Sequence, residues 1–252
     1  MKITLLGTAT STGVPIVGCT CAVCTSTDPR DTRLRCSAMI ESEQTRIMID
    51  CGPDFRQQML KVPFRHIDAI FFTHEHADHV GGIDDLRPYS VFGDVTLYAD
   101  NVCATHLEER LPYCLKKNTY PGVPQLEMRR IAPHDTVEIK DLHITAIPVM
   151  HGSLPILGYR INDFVYITDM SGIDEAEFAL MKGVKTAVIN ALRHKPHPTH
   201  NTVDEAIAFA HKAGFETVYF THIDHKMGLH AEVDATLPDG IHLGYDMLEI
   251  EV

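Results

Sequence analysis

The residues best suited to chemistry lie in one short run, Thr73–His79, which reads Thr-His-Glu-His-Ala-Asp-His. Histidine is the commonest ligand of transition metals in proteins, and aspartate adds a charged oxygen ligand. Histidines two residues apart, such as His74 and His76, project to the same side where a strand frays. Asp78 and His79 then come from the turn into the next helix. This spacing predicts two pairs of ligands for two neighbouring metal sites, and Asp78 is also predicted to take part in catalysis.

Three further candidate ligands, His151, Asp169 and His222, each follow a short apolar run. Such runs are typical of buried strands, and strands of a common sheet that end at one edge would bring these side chains together. We expect His151 to complete the first site, Asp169 to bridge both ions and His222 to complete the second. Two divalent ions about 3.5–4 Å apart share a hydroxide and lower the pKa of its parent water from about 16 to near 7. The runs that precede candidate ligands are Ala69–Phe72, Ile144–Val149, Phe164–Ile167 and Thr217–Phe220.

Three of the seven cysteines, Cys19, Cys21 and Cys24, lie within six residues of one another. Three thiolates need a fourth ligand to close a tetrahedral structural zinc site, and His225 is the candidate. A different fourth ligand and three free thiols are the alternatives. The odd number of cysteines, without a secretion signal, argues against a disulfide framework. The cysteines expected to be small buried hydrophobic residues are Cys36, Cys51, Cys103 and Cys114.

Short strands interleaved with fewer helices predict one α/β domain over residues 1–252, with sheets covered by helices. Helix Val203–Ala213 has the clearest boundaries, because Thr202 can cap it, Glu205 lies three residues later and Gly214 can end it. The other strands are expected at Ile3–Leu6, Ser37–Ile40, Ile47–Ile49, Val95–Tyr98 and Thr186–Ile189. The other helices are expected at Asp54–Leu60, His79–Leu86, Val102–Leu111 and Asp174–Met181.

Charge and hydropathy disfavour some classes of partner. The chain has 34 acidic and 22 basic residues, a formal net charge of -12. A nucleic-acid partner is therefore disfavoured, because such proteins need a basic surface. No run approaches the roughly 20 apolar residues that span a bilayer, so we expect no membrane partner. Met1–Gly7 leads straight into a strand and lacks a signal-peptide cleavage site, which favours a cytoplasmic protein.

The Thr73–His79 run resembles the Thr-His-x-His-x-Asp-His hallmark of the metallo-β-lactamase superfamily. Asp50-Cys51-Gly52 resembles the Asp-x-Gly that ends a strand in the same superfamily. The resemblance implies an αββα sandwich, the metallo-β-lactamase fold, with the metal site at one edge. It also implies that Asp50 braces the metal loop from outside the ligand set.

Both ends of the chain are similar to the PhnP family of cyclic phosphodiesterases. The matching stretches are Leu6-Gly7-Thr8, Gly13-Val14-Pro15, Gly18 through Cys24, and the late pair His222 and His225. This resemblance implies structural zinc held by the three cysteines and His225, and a catalytic pair of zinc or manganese ions. Segment 86–130 has no counterpart that we can align, so its role stays open.

The same resemblance assigns chemistry to a histidine outside the ligand set. The family places a non-ligand histidine in contact with the scissile phosphate, and His200 matches that position. An imidazolium there would donate a proton to the leaving oxygen, and the N-terminus of the following helix would favour an anion. His197 is the alternative. A second phosphate would need further cationic side chains, and the candidates are Arg193, Arg87 and Lys195. The alternative is that they are ordinary surface or salt-bridged residues.

These observations favour a metal-dependent phosphodiesterase that cuts a small phosphodiester, a cyclic ribose or nucleotide phosphate, by attack of the bridging hydroxide. The alternatives are a tRNA 3′-end endonuclease, a thioester or lactam hydrolase of the same superfamily, and a metal-binding protein without catalysis. A homodimer is one expected assembly, and the oligomeric state is open.

Overall fold

Two seven-stranded sheets form the framework of the protein. The computed structural model describes residues 1–115 and 122–252. The strands of the first sheet are β1 (Lys2–Gly7), β2 (Ser37–Glu41), β3 (Arg46–Ile49), β4 (Ala69–Phe71), β5 (Val95–Ala99), β6 (Leu126–Arg130) and β14 (Leu248–Glu251). The strands of the second sheet are β7 (Thr136–Ile139), β8 (Leu142–His151), β9 (Leu154–Ile161), β10 (Phe164–Ile167), β11 (Thr186–Asn190), β12 (Thr217–Thr221) and β13 (Ile241–Leu243).

The spatial order of strands is β14-β1-β2-β3-β4-β5-β6 in the first sheet and β13-β12-β11-β10-β9-β8-β7 in the second. The chain therefore builds one sheet and then the other, and β14 returns to the first. The α-helices are α1 (Phe55–Met59), α2 (Ala77–Val80), α3 (Asn101–Arg110), α4 (Pro112–Leu115), α5 (Val203–Ala213) and α6 (His230–Asp234). Segments of 3₁₀-helix span Pro29–Asp31, Ile83–Phe92 and Glu175–Met181.

Burial on both faces of each sheet creates four layers. On β3, Ile47 and Ile49 pack between the two sheets, whereas Met48 packs in a separate cluster with side chains of α1 and α3. Neighbouring strand residues point to opposite faces, so a strand that is covered on both faces is apolar throughout. On the second sheet, Ile189 and Phe220 pack with residues of α5. The layers are helices, sheet, sheet and helices, which confirms the predicted αββα sandwich.

The structure corrects several predicted elements. The helix expected at His79–Leu86 is wrong, because α2 ends at Val80 before Gly81 and Gly82, and a 3₁₀ segment follows. Asp174–Met181 is likewise 3₁₀ rather than α-helix. The prediction missed β6, β7, β9, β13 and β14; of these, β6 and β7 alternate with exposed residues instead of forming apolar runs. None of the helices in the described ranges is long and apolar enough to cross a membrane.

Candidate metal centre

The candidate metal ligands meet at one edge of the sandwich, and they come from both sheets. His74 to His79 follow β4 of the first sheet, whereas His151 ends β8, and Asp169 and His222 follow β10 and β12 of the second. The prediction that strands of one common sheet gather all of them is therefore wrong. Because β8, β10 and β12 run in the same direction, their C-terminal ends coincide.

The first subsite consists of His74, His76 and His151, whose ring nitrogens lie within 4.8 Å of one another. His74 Nε2 is 2.9 Å from His76 Nδ1, so two ring nitrogens converge on one point. Hydrogen bonds select the tautomers of the His74 and His151 rings. His74 Nδ1 donates to Thr73 Oγ1 at 2.9 Å, and His151 Nδ1 donates to Thr199 O at 2.9 Å. With the proton on Nδ1, the Nε2 of each of these rings keeps a lone pair for a metal.

The second subsite consists of Asp78, His79, Asp169 and His222. His79 Nε2 lies 3.3 Å from Asp78 Oδ2 and 3.3 Å from Asp169 Oδ2. His222 Nε2 lies 3.0 Å from Asp169 Oδ1 and 3.6 Å from Asp78 Oδ2. The Nε2 atoms of both histidines are buried and have no hydrogen-bond partner. Buried nitrogens without a partner, surrounded by carboxylate oxygens, are a donor set that fits a divalent cation.

Asp50 supports ligands of both subsites from behind. One oxygen, Oδ2, accepts the Nδ1–H of His79 at 2.6 Å. The same carboxylate accepts the backbone N–H of Thr73 at 2.8 Å and the Thr73 hydroxyl at 3.0 Å. Thr73 Oγ1 is also the acceptor for His74. A carboxylate behind a ligating histidine fixes the ring orientation and raises its basicity, so Asp50 has the geometry of the predicted bracing role.

Three residues of the site adopt left-handed backbone conformations, with φ of 61° at Asp50, 57° at Asp169 and 57° at His222. Such conformations cost about 1–3 kcal/mol each for a residue other than glycine, and they persist where neighbours hold them in place. The Asn190 side chain binds both backbone groups of the residue after Asp169, at 2.9 and 3.0 Å. Thr8 O accepts the N–H of the residue after His222 at 2.8 Å. These hydrogen bonds hold the left-handed backbone that orients the side chains of Asp169 and His222 toward the second subsite.

Charge in the second subsite shifts the pKa values in the directions expected for paired ions. Burial alone would lower the pKa of His222, but the adjacent Asp169 carboxylate raises it to about 9. Burial alone would raise the pKa of Asp169, but His222 and His79 hold it well below its usual range. The buried carboxylates of the second subsite therefore favour positive charge beside them, and a bound cation would supply that charge.

His200 lies beside the ligands of both subsites, with its ring centre 4.7 Å from those of His151 and His222. Its Nδ1 is buried without a hydrogen-bond partner, 3.7 Å from Asp169 Oδ1. Burial and the nearby His222 lower the pKa of His200 to about 3, so the ring is neutral at pH 7. This differs from the imidazolium expected from the sequence. His197 is less buried, and its ring centre is 5.0 Å from that of His200.

Cys19, Cys21 and Cys24 surround His225, as the sequence predicts. Their Sγ atoms lie 3.3, 3.4 and 3.6 Å from His225 Nδ1, and all four ligand atoms are within 4.8 Å of one another. The Cys24 backbone N–H and His225 lower the pKa of Cys21 to about 6, which favours a thiolate. This set fits a tetrahedral zinc ion of the structural type.

The predicted phosphate-binding arginines have protein partners. Arg193 Nη1 donates to Asp224 Oδ2 at 3.3 Å, and its other nitrogens donate to the carbonyls of Lys195 and Pro196 at 3.3 and 3.4 Å. Arg87 contacts Asp84 at 2.7 Å and the carbonyl of Gly122 at 2.6 Å. These contacts match the salt-bridged alternative, and a phosphate-binding role for either residue stays a prediction. Residues 116–121 of segment 86–130 lie outside the described ranges.

Sequence reasoning missed one residue at the site, Cys36. Its Sγ belongs to a group with His79, Asp169 and His222 in which all four ligand atoms lie within 4.8 Å of one another. Burial raises the pKa of the Cys36 thiol. The sequence carries no signal for this position, because Cys36 stands before β2, far along the chain from the other ligands.

Comparison with known proteins agrees with this geometry. Residues 45–223 match the β-lactamase superfamily domain. A solved structure described as a new diphosphatase from the PhnP family is 40% identical, with a TM-score of 0.92, and the match covers 100% of this chain and 97% of that chain. A protein of Porphyromonas gingivalis named octanoyltransferase is 43% identical over 251 residues, 99% of this chain and 51% of that protein. Ribonuclease Z of Bacillus licheniformis is 31% identical over 145 residues, 55% of this chain and 44% of that protein.

The chain spans about half the length of these two curated relatives, but it covers nearly all of the solved relative. Both the whole-length match and the superfamily match agree with the two-sheet fold described above. The chain therefore belongs to the metallo-β-lactamase superfamily and, within it, to the PhnP family.

Proposed function

We propose that this protein is a dinuclear metal-dependent phosphodiesterase that hydrolyses a small phosphodiester, a cyclic ribose or nucleotide phosphate. The observation that carries the proposal is the position of Asp169 between the histidine ring nitrogens of the two subsites. Its Oδ1 and Oδ2 each lie close to a different histidine of the second subsite, and it also lies within 4.8 Å of His151 of the first subsite. One carboxylate that reaches both subsites is suited to bridging two cations.

Bound divalent cations supply a nucleophilic water at neutral pH and neutralise charge on the phosphate. The chain's own residues hold the arrangement rigid. Asp50 orients His79 and, through Thr73, also His74. Thr199 O fixes the tautomer of His151. We further propose that the three cysteines and His225 hold a structural zinc ion, which ties the N-terminal loop to the segment that carries His222.

His200 is the residue best placed to contact the substrate without binding a metal. Its neutral ring can donate one N–H to a phosphate oxygen. A phosphate anion beside the ring stabilises the imidazolium and so opposes the effect of burial. Substrate binding therefore favours a ring that carries the proton needed by the leaving oxygen. The solved relative is described as a diphosphatase, which supports hydrolysis at phosphorus as the reaction class.

Hydrolysis of bis(p-nitrophenyl) phosphate tests the reaction class. We expect turnover that stops after treatment with a chelator and returns with zinc or manganese. The substrate panel adds a cyclic ribose phosphate, a dinucleoside diphosphate, a pre-tRNA and an octanoyl thioester. A protein that holds metal only at the cysteines and turns over none of these substrates would instead be a metal-binding protein without catalysis.

Variants of His200 test its role. Removal of a positioned acid costs on the order of 100-fold or more in rate, so we expect that loss in His200→Ala. His200→Gln keeps an N–H donor but cannot deliver a proton. Activity retained in His200→Gln would show that His200 only donates a hydrogen bond and does not transfer a proton. Activity retained in His200→Ala would show that His200 has no part in catalysis. The exposed His143 supplies the control variant His143→Ala.

A tRNA 3′-end endonuclease is the second candidate, because the chain matches ribonuclease Z of Bacillus licheniformis over about half its length. The net charge of -12 disfavours it, since tRNA binding relies on basic residues that displace phosphate counterions. A salt-sensitive complex with pre-tRNA and cleavage at its 3′ end would reverse the ranking.

The acyl-transfer name of the Porphyromonas gingivalis relative describes a protein of about twice the matched length. The name therefore does not assign acyl chemistry to the matched half, and the octanoyl thioester in the panel tests it directly. A cytoplasmic location and a homodimer remain predictions.

A further inference from the structure

Cys36 is a buried thiol in polar surroundings. It has no exposed surface, yet it belongs to none of the hydrophobic clusters formed by the described residues. Cys51 and Cys103, by contrast, pack in the cluster between the first sheet and its helices. Cys36 Sγ lies 3.7 Å from Thr168 Oγ1, which in turn donates to Asp169 Oδ2 at 2.7 Å. The thiol is therefore part of the second subsite rather than of the core.

The backbone holds Cys36 in this position. Its N–H donates to Ala9 O at 3.0 Å, and Ala9 N–H donates to Leu34 O at 2.8 Å. A Cβ atom at Gly7 would lie 2.1 Å from Arg35 O, so only glycine allows β1 and this segment to approach so closely. The opening Gly7-Thr8 motif thereby helps to place the thiol beneath the ligands.

The ligand atoms of Cys36, His79, Asp169 and His222 all lie within 4.8 Å of one another. The Nε2 atoms of His79 and His222 are buried without hydrogen-bond partners. We propose that the Cys36 thiolate is a ligand of the cation in the second subsite, together with His79, Asp169 and His222. When the sulfur–metal bond forms, the thiol proton is released to solvent, and no electron is transferred.

This inference rests on the proposed metal-dependent function and adds a choice of metal to it. Thiolate is a soft ligand that favours zinc, cobalt and cadmium, whereas manganese favours carboxylate and other oxygen ligands. Asp78 is not part of the group of four, although its Oδ2 lies 3.3 Å from His79 Nε2. The second subsite thus offers a soft and a hard donor, and the thiolate selects zinc over manganese.

Cobalt spectroscopy tests the assignment without relying on activity. The two subsites are emptied with a chelator while zinc remains in the cysteine site, and Co²⁺ is then added. We expect a thiolate-to-cobalt charge-transfer band in the wild type that is lost in Cys36→Ser and kept in the control Cys103→Ala, another buried cysteine. An unchanged band in Cys36→Ser, or no such band in the wild type, would overturn the proposal.

A second measurement needs no variant. ¹¹³Cd NMR of the cadmium-loaded wild type should show a signal for one-sulfur coordination besides the signal of the cysteine site. A signal for nitrogen and oxygen coordination alone would contradict the ligand assignment. Hydrolysis of bis(p-nitrophenyl) phosphate by the zinc form is measured in parallel. Sulfur coordination without hydrolysis refutes only the proposed function, hydrolysis without sulfur coordination refutes only the ligand, and subsites that bind no metal refute both.

Discussion

Asp50 Oδ2 accepts the Nδ1–H of His79 at 2.6 Å, and neither side chain reaches solvent. This hydrogen bond links the strand-ending Asp50-Cys51-Gly52 turn to the histidine that faces the second subsite with its other nitrogen. Because the same carboxylate binds Thr73, whose hydroxyl accepts from His74, one buried charge controls the ring orientation on both sides of the centre.

Asp50→Asn tests this control. Asparagine tolerates the left-handed backbone at position 50 and keeps one acceptor oxygen, but it loses the charge that favours a basic Nε2 on His79. We expect a loss of about 10–100-fold in metal affinity, the usual range for partners of ligating histidines. Competition with a chromophoric chelator measures it. Asp54→Asn is the matched control, since Asp54 is a buried carboxylate that pairs with Arg35 instead of a ligand; equal losses in the two variants would rule out a specific role for Asp50.

Asp224 and Arg193 connect the cysteine site to the loop that carries His200. Asp224 Oδ1 lies 3.4 Å from His225 Nε2, and its Oδ2 accepts from Arg193 at 3.3 Å. Arg193 in turn holds the carbonyls of Lys195 and Pro196. We expect Arg193→Lys, which keeps the charge but loses the planar fork, to lower kcat/KM by about tenfold because the loop loosens.

The same variants would have different effects if Arg193 bound a phosphate of the substrate. A lysine would then retain much of the attraction as a point charge, and Asp224→Asn would leave substrate binding intact. If Arg193 instead holds the His200 loop in place, Asp224→Asn and Arg193→Lys both lower kcat/KM while the amount of bound metal stays constant. The control is Arg130→Lys, at an exposed ion pair with Glu108. Kinetics and metal content, measured on the same preparations, separate the two interpretations.

The N-terminus of α5 depends on a reciprocal pair of hydrogen bonds. Thr202 Oγ1 accepts the N–H of Glu205 at 3.2 Å, and Glu205 Oε2 accepts the N–H of Thr202 at 2.8 Å. We expect Thr202→Ala to lower the free energy of unfolding by about 1 kcal/mol, the usual value for an N-cap. Thr202→Ser should be close to neutral. Urea unfolding measures both, and equal stability of all three proteins would show that the cap contributes nothing.

Asp246 should make stability depend on mildly acidic pH. Burial raises its pKa to about 6, although Leu34 N–H, Thr8 and Arg33 oppose the shift. The unfolded value is about 3.9, so the folded state binds this proton more tightly. Its contribution to stability is complete below about pH 3.9 and is lost as the pH rises through about 6.

Asp246→Asn isolates that contribution. The free energy of unfolding of the wild type minus that of the variant should fall by about 2 kcal/mol between pH 4 and pH 7, at roughly 1.36 kcal/mol per pKa unit. Carboxylates elsewhere titrate in both proteins and cancel in the difference. A difference that stays flat, or that rises with pH, would contradict the raised pKa.

The sequence by itself determined the features whose cause is local. Helix α5 begins and ends where the sequence predicts. Its start is set by Thr202 and Glu205 and its end by Gly214, because each acts on the backbone a few residues away. The spacing Thr73–His79 predicts ligands for two cations for the same reason. The apolar runs identify the strands that are buried on both faces.

Only the tertiary structure decided what depends on residues far apart in the chain. It assigned the ligands to two sheets instead of one, because the pairing of strands is set by packing and not by local pattern. It turned Arg193 toward Asp224, made His200 neutral through burial beside His222, and brought Cys36 to the second subsite. Burial, charge and proximity between distant segments are properties of the folded chain, so no spacing along the sequence could show them.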